Sequence, residues 1–315
     1  MNESPRSAWQ NNRWAIHPED VSSLWTHIGT LNMSTGHHTR IVWRGMANEA
    51  FEVTSSLVRE LEKRGVRATE DAVRSAEEAS IQNVREWGIG TSEHGHASDL
   101  HLLAMMQHHS VPTRLIDVTY NPLTALWFAC SDIRHSLSTG VLVGFMVGSA
   151  QLIKTVPAAE PPTYGSMQDP YGFQYKHSLG QTLETGLPLL VEPAVRDARM
   201  VAQEGLFITS AVPESRNHDA PVAGILQPKS MEYRADLGKF LIEGKRTTPT
   251  MLRSVFAMVG FTITPQIKNA ILPVLNGSFN RSYRTMYPDF SGFATYEGTN
   301  HVSRQTGPEA PLNPN

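Results

Sequence analysis

Between the apolar stretches Leu102–Met106 and Leu123–Cys130, polar side chains crowd together: His108, His109, Thr113, Arg114, Asp117, Thr119 and Asn121, with Pro112 and Pro122 among them. A segment that only filled a core would not carry so many groups that lose water on burial. The pattern predicts a strand over Thr113–Thr119 that runs into a helix opening at Asn121-Pro122. Asn is favoured at the N-cap and Pro at the first helical position. Polar side chains at a strand end, beside a helix N-terminus, are a common way to hold an anion. Upstream, Thr39–Met46 alternates as a strand and brings Arg44 and Gly45 to its end. A guanidinium is the rigid two-pronged donor suited to phosphate. Five histidines fall within sixteen residues (His94, His96, His101, His108, His109), and a His-x-His pair can hold a metal. No Asp/Glu-His spacing completes a known metal motif, so the expectation is no metal, with His108 and His109 as pocket residues and His94 and His96 in a loop.

These residues need a scaffold. The chain has 315 residues, 40% hydrophobic and 18% charged, enough for a sizeable core in one large domain or two ordinary ones. Helices are expected over Pro18–Leu31, Thr69–Trp87 (left through Gly88 and Gly90) and Ser98–His109. A short helix or turn is expected over Pro193–Gln203. Another helix is expected from Thr248-Pro249 to about Val259, stopped by Gly260. Further strands are expected over Gly140–Gly148, Leu206–Ser210 and Lys239–Glu243. The fold class is therefore α+β, with mixed or antiparallel sheets flanked by helices and no regular βαβ rhythm. The expected organisation is an N-terminal helical segment over 1–38, one domain over 39–296 with an insertion or long functional loop at 149–192, and a loose Pro-rich tail over 297–315.

Charge and cysteine usage exclude several classes. A formal charge of −3 argues against a general polycation, and a single cysteine, Cys130, excludes an intrachain disulfide. The reading is cytoplasmic, with no secretory leader and no membrane association: Val141–Val147 is too short for the roughly 20 residues that span a bilayer. Arg outnumbers Lys by 20 to 7. Residues 245–304 hold seven basic groups against two acidic ones, whereas 62–99 holds eight acidic groups. One face could meet RNA or DNA, or these could be ordinary solvated surfaces.

Four blocks carry a resemblance. Trp43-Arg44-Gly45 is an aromatic-Arg-Gly triplet. The run from Leu103 to Ala129 holds Gln107-His-His-Ser-Val-Pro-Thr-Arg-Leu-Ile-Asp117. Arg199 precedes Gln203-Glu-Gly-Leu-Phe207, and Tyr287-Pro-Asp-Phe-Ser-Gly-Phe293 comes last. In this order they resemble the FRG domain family over about residues 40–296. Met46 stands where that family usually has Gln, and Ser55-Ser-Leu57 where it commonly has Pro-Ser-Leu.

More distantly, the blocks are similar to the ADP-ribosyltransferase superfamily. Arg44 closes the first strand, Asp117-Val-Thr119 replaces a Ser-Thr-Ser strand end, and Ala125-Leu-Trp-Phe-Ala129 matches the following helix. Gln203-Glu204 stands where the late acid belongs, although the Glu/Gln-x-Glu pattern is not reproduced. The likeness implies an ADP-ribosyltransferase-like core that takes NAD as substrate and modifies a nucleic acid or protein. In this reading Arg44 binds the pyrophosphate, Glu204 is the acid, and Gln203 holds a hydroxyl or amide. Thr119 and Asp117 fix Arg44 and the ribose, and Tyr120 stacks on nicotinamide. Gly45, Asn121, His109 and Arg114 complete the pocket. A bacterial or phage conflict system is implied, with an antitoxin or inhibitor protein as partner. Each residue also has a plainer reading. Arg44 could pair with a core carboxylate, Arg114 with Asp117, Thr119 could cap a turn, Glu204 could be a turn residue, and Cys130 core. Two other activities stay open: a nucleotide-binding sensor that lacks the acid, and a hydrolase with His108 or His109 as base.

Overall fold

The computed structural model describes residues 9, 15–33, 39–92, 95–148, 152–155, 179–184, 188–212 and 258–297. Its backbone is an eight-stranded mixed sheet with helices against it. The strands are β1 (Ala15–Ile16), β2 (Thr39–Met46), β5 (Ile116–Thr119), β6 (Gly140–Gly148), β7 (Leu152–Lys154), β8 (Leu189–Glu192), β9 (Gly205–Thr209) and β10 (Met258–Ile263), in the order β1-β10-β6-β2-β5-β9-β8-β7. A separate hairpin pairs β3 (Thr91–Ser92) with β4 (Gly95–His96). Inner pairs are antiparallel, and the edge pairs β1/β10 and β7/β8 are parallel.

The helices are α1 (Val21–Met33), α2 (Ser56–Lys63), α3 (Glu70–Glu86), α4 (Asp99–His108), α5 (Pro122–Cys130), α6 (Ala198–Ala202), α7 (Pro265–Asn276) and α8 (Tyr283–Met286). Side-chain caps mark their starts. Thr69 and Ser98 accept from the backbone N–H three residues on, and Asn121 accepts from Leu123 N at 2.9 Å. Among the described residues, no helix is long and apolar enough to cross a membrane.

Two helical covers meet one face of the sheet. Over β2, β6 and β10, residues Trp43, Leu142 and Phe261 pack with α1, α5 and α7 through Leu24, Ile28, Leu126, Ala129, Ile267 and Ile271. Over β8 and β9, Val191 and Phe207 pack with α3 and α4 through Ile81, Leu100, Leu103 and Met106. The short strand β5 lies between the two covers. On it the register sets Asp117 opposite Phe207, and Thr119 between Trp43 and Gly205. The opposite face buries Val42, Val143, Phe145, Val118 and Ile208 in a second cluster. Alternation along the strands thus sends Asp117 to the gap between the covers.

Gly45 sets how closely β2 and α5 approach. A Cβ there would stand 1.7 Å from the Ala125 carbonyl oxygen and 2.8 Å from Ala129 N. Only a residue with no side chain permits that distance.

Several sequence expectations change. The stretch 149–192 contributes β7 and β8 to the main sheet, so it is not wholly an insertion. Gly260 does not stop a helix. It sits inside β10, paired with Ala15 and Val143. All six residues of that strand are buried, so no polar alternation marks it as β. The segment expected to stand apart over 1–38 includes α1, which shares the core of α5 and α7. The expected strand 239–243, the start of the helix expected from 248 and residues 298–315 of the tail lie outside the described residues.

Candidate functional site

The gap over β5 is a cavity of about 410 Å³, within the size range of small-molecule sites. Its walls come from β2 (Trp43, Arg44, Gly45), α4 (Gln107, His108), β5 (Asp117, Thr119), α5 (Ala125, Phe128), α6 with its exit (Arg199, Met200, Gln203), β9 (Phe207) and Tyr287. Residues separated by more than 240 positions thus face one space.

Arg44 occupies a splay between strands. β2 and β5 share a single ladder pair, Trp43 with Thr119. Beyond it, Arg44 donates from Nη1 to the Asp117 carbonyl at 2.6 Å. Its Nε is sealed from solvent and has no hydrogen-bond partner among the described residues. Burial lowers the guanidinium pKa, Asp117 opposes this, and Arg59 adds to it. A guanidinium remains charged under any biological condition. Arg44 is half-buried and lines the cavity, where a guanidinium suits an anion.

Opposite it, Arg199 lies 4.5 Å from the centre of the Tyr287 ring, a stacked cation–π arrangement. Burial raises the Tyr287 phenol pKa, with Arg199 opposing, so the hydroxyl stays protonated near neutral pH. Gln203 donates to the Met286 carbonyl at 2.9 Å and ties this side to α8.

Asp117 is the exposed carboxylate of the cavity and is held by Gln107, whose Nε2 donates to Oδ2 at 2.9 Å. The Gln107 Oε1 accepts from Thr113 Oγ1 at 2.8 Å, which fixes which way the amide points. The chain of hydroxyl, amide and carboxylate presets the acid without neutralising it.

The sequence-predicted residues divide. Arg44, Gly45, Asp117, Thr119 and Gln203 line the cavity. The Thr119 hydroxyl is already engaged, donating to the Gln203 carbonyl at 2.7 Å and accepting from Asn121 N at 3.0 Å, as its turn-capping reading supposed. The remaining expected residues lie elsewhere. Asn121 caps α5 and donates to Glu204 Oε1 at 2.8 Å. Glu204 also receives Arg281 at 2.9 Å, and its φ of 49° places it in the left-handed region at the turn into β9. Its carboxylate therefore links α5 to the segment before α8 and does not line the cavity. Tyr120 lies beneath Arg40, 5.6 Å from ring centre to guanidinium, and is not available to stack on a ligand in the cavity. Arg114 is core: its Nε donates to Glu77 at 2.7 Å and its NH1 to both oxygens of Glu70, so part of the acidic stretch is matched internally. His109 borders a second, smaller cavity of about 190 Å³ with His101, His108 and Asp197. Among the described residues, no group of three His, Cys, Asp or Glu side chains is placed to hold a metal ion. His96 pairs with Thr91 in the β3–β4 hairpin.

His108 lines the cavity as its pocket reading supposed, whereas Gln107, Arg199 and Tyr287 are cavity residues that the sequence reading did not assign to a ligand. The signal was present: Gln107 and His108 fall in the central run, and Arg199 and Tyr287 in the late blocks. What bound those blocks to Arg44 was folding alone.

That convergence is where comparison becomes informative. Residues 39–137 match the FRG domain. The FRG match spans β2 to the turn after α5. It stops before β6, the neighbour of β2 in the sheet, and before Arg199, Gln203 and Tyr287, which complete the cavity. No curated protein and no solved structure gives a significant match to the chain.

Proposed function

We propose that the cavity binds the pyrophosphate of NAD and that the chain transfers ADP-ribose to a macromolecular acceptor, a nucleic acid or a protein. The observation that carries this reading is the pairing, across one cavity, of two arginines with a single preset carboxylate. Arg44 and Arg199 supply bidentate positive charge for phosphates, and Asp117 lies between the covers beside them. In the reaction the bond between ribose C1′ and the nicotinamide nitrogen breaks, and its electron pair leaves with neutral nicotinamide. The acceptor forms a new bond to C1′ and gives up a proton. Positive charge accumulates on the ribose at the transition state, and a fixed carboxylate stabilises it. Asp117 takes that role here in preference to Glu204, which serves as a positioning group between Asn121 and Arg281. Phe128 offers ring surface to the nicotinamide or adenine.

A binding-only module is the second reading, supported by the engagement of Glu204 in structural contacts. It differs in one outcome: ligand affinity without turnover. As a transferase, the chain would need restraint in its host, and an inhibitor protein in a conflict system fits that need.

The test is incubation of purified chain with adenylate-labelled NAD, alone and with cell lysate, followed by nuclease or protease treatment of the labelled product. Transfer of label, with loss in Arg44→Ala and Asp117→Asn and retention in Glu204→Gln, supports the proposal. Folded protein that neither releases nicotinamide nor transfers label overturns it.

A further inference from the structure

His108, the last residue of α4, separates the two cavities and lines both. Its Nε2 contacts the Asp197 carboxylate at the N-cap of α6. The ring is largely buried, at 16% side-chain exposure, and packs edge-on against His109 at 5.2 Å. A carboxylate at Nε2 fixes the tautomer: Nε2 carries the hydrogen and donates it, which leaves Nδ1 as the basic nitrogen. The charged or titratable groups that line the two cavities with it are His101 and His109 on and after α4, Asp197 and Arg199 at α6, Asp117 on β5, Arg44 on β2 and Tyr287 after α8.

We propose that His108, oriented by Asp197, is the general base that takes the acceptor's proton, and that the acceptor therefore attacks through an atom that bears a proton, as a hydroxyl does. The inference rests on the ADP-ribosyl transfer reading. A carboxylate or thiolate acceptor already carries its electron pair and needs no base. A hydroxyl is almost wholly protonated near neutral pH and gains most from an imidazole within reach. The acceptor oxygen forms its bond to ribose C1′, nicotinamide departs with the electrons of the broken C–N bond, and the hydroxyl proton moves to His108 Nδ1. The resulting imidazolium is stabilised by Asp197 and returns its proton to solvent. Asp197 is a positioning residue and touches neither reactant.

The test uses water as the hydroxyl acceptor, so the natural acceptor need not be known. Nicotinamide release from NAD is measured against pH for the wild type, His108→Gln, Asp197→Asn and, as a control, His96→Gln in the β3–β4 hairpin, with NAD affinity measured by calorimetry for each. The expected result is a rate about 100-fold lower in His108→Gln with NAD affinity kept within a few-fold. The acid limb of the wild-type profile disappears in that variant. It is displaced in Asp197→Asn, with a smaller loss of rate, and unchanged in His96→Gln. Partial rescue of His108→Gly by added imidazole supports the assignment independently. Full rate and an intact acid limb in both His108→Gln and Asp197→Asn overturn the base while leaving the transferase reading in place. A wild type that binds no NAD and releases no nicotinamide overturns both.

Discussion

Substituting Gly45 by Ala asks whether the close approach of β2 and α5 shapes the cavity. The new Cβ would meet the Ala125 carbonyl oxygen at 1.7 Å, the Ala125 carbonyl carbon at 2.7 Å and Ala129 N at 2.8 Å. Contacts below 3.0 Å are essentially never seen for real Cβ atoms, so at least 1.3 Å of separation (3.0 less 1.7) must be found. All three obstacles are helix backbone, and no side chain can swing aside. The helix must move away from a core that includes Ala125, Leu126 and Ala129, each fully buried. Overpacking that forces backbone displacement costs about 3 kcal/mol, which lowers the melting temperature by roughly 5–10 °C in a domain of this size. Because Ala125 and Phe128 are cavity wall, ligand affinity should fall with stability. Gly29→Ala is the control: nothing lies within 4 Å of a Cβ there. It sits inside α1, so the better helix former should stabilise by up to about 1 kcal/mol. Urea unfolding and thermal melts of the two variants decide the matter. A Gly45→Ala protein that melts within a degree of the wild type refutes the packing argument.

Other outcomes follow from buried groups. Lys268 is 2% exposed and donates from Nζ to the Ala47 carbonyl at 2.7 Å and the His135 carbonyl at 2.9 Å. Lys268→Met strands both acceptors and should cost about 3 kcal/mol in urea unfolding; no loss would contradict the role of this lysine as a tie between α7 and the turns after β2 and α5. His101 is 6% exposed, bonds Thr155 through Nδ1 at 3.0 Å, and burial lowers its pKa. Its folded pKa lies below the unfolded one, so its contribution is complete above about pH 6.5 and is lost as pH falls through the folded value. The urea midpoint should therefore drop between pH 7.5 and pH 5, and less steeply in His101→Gln. His27 is shifted the same way by burial and keeps part of the slope. Burial pushes the Cys130 thiol up to about 12, so a disulfide reagent should label it only as fast as the protein opens. Rapid labelling of native protein would show that α5 is less enclosed than described.

The amount of this legible in sequence depended on local signals. The Asn121-Pro122 helix start is a chemical mark carried by neighbouring residues, and the structure has it where the sequence places it. The strand β10 was not, because burial on both faces removes alternation, and the apolar run Val255–Val259 reads equally well as a helix. The strands β7 and β8 are short and lie in a stretch rich in Pro and Gly. At the site, Arg44 and Asp117 could be chosen by residue type and block. Glu204 was chosen by likeness to a motif, and its engagement by Asn121 and Arg281 depends on contacts 83 and 77 residues away. Arg114 was misread for the same reason: its partners, Glu70 and Glu77, lie on a helix that looks solvated in isolation. Nothing in the sequence says that Arg199 and Tyr287 stack across from Arg44.

The central claim is that Arg44 receives a phosphate in the cavity over β5. Calorimetric titration of ADP-ribose, which carries the pyrophosphate without the leaving group, into the wild type, Arg44→Ala and Arg199→Ala tests it most directly. Saturable binding to the wild type and a loss of about 10-fold or more in each variant are expected, from about 1.5–3 kcal/mol for a hydrogen bond to a charged group, with thermal stability checked in parallel. Equal affinity in the wild type and Arg44→Ala, or no binding to folded wild-type protein, would contradict it.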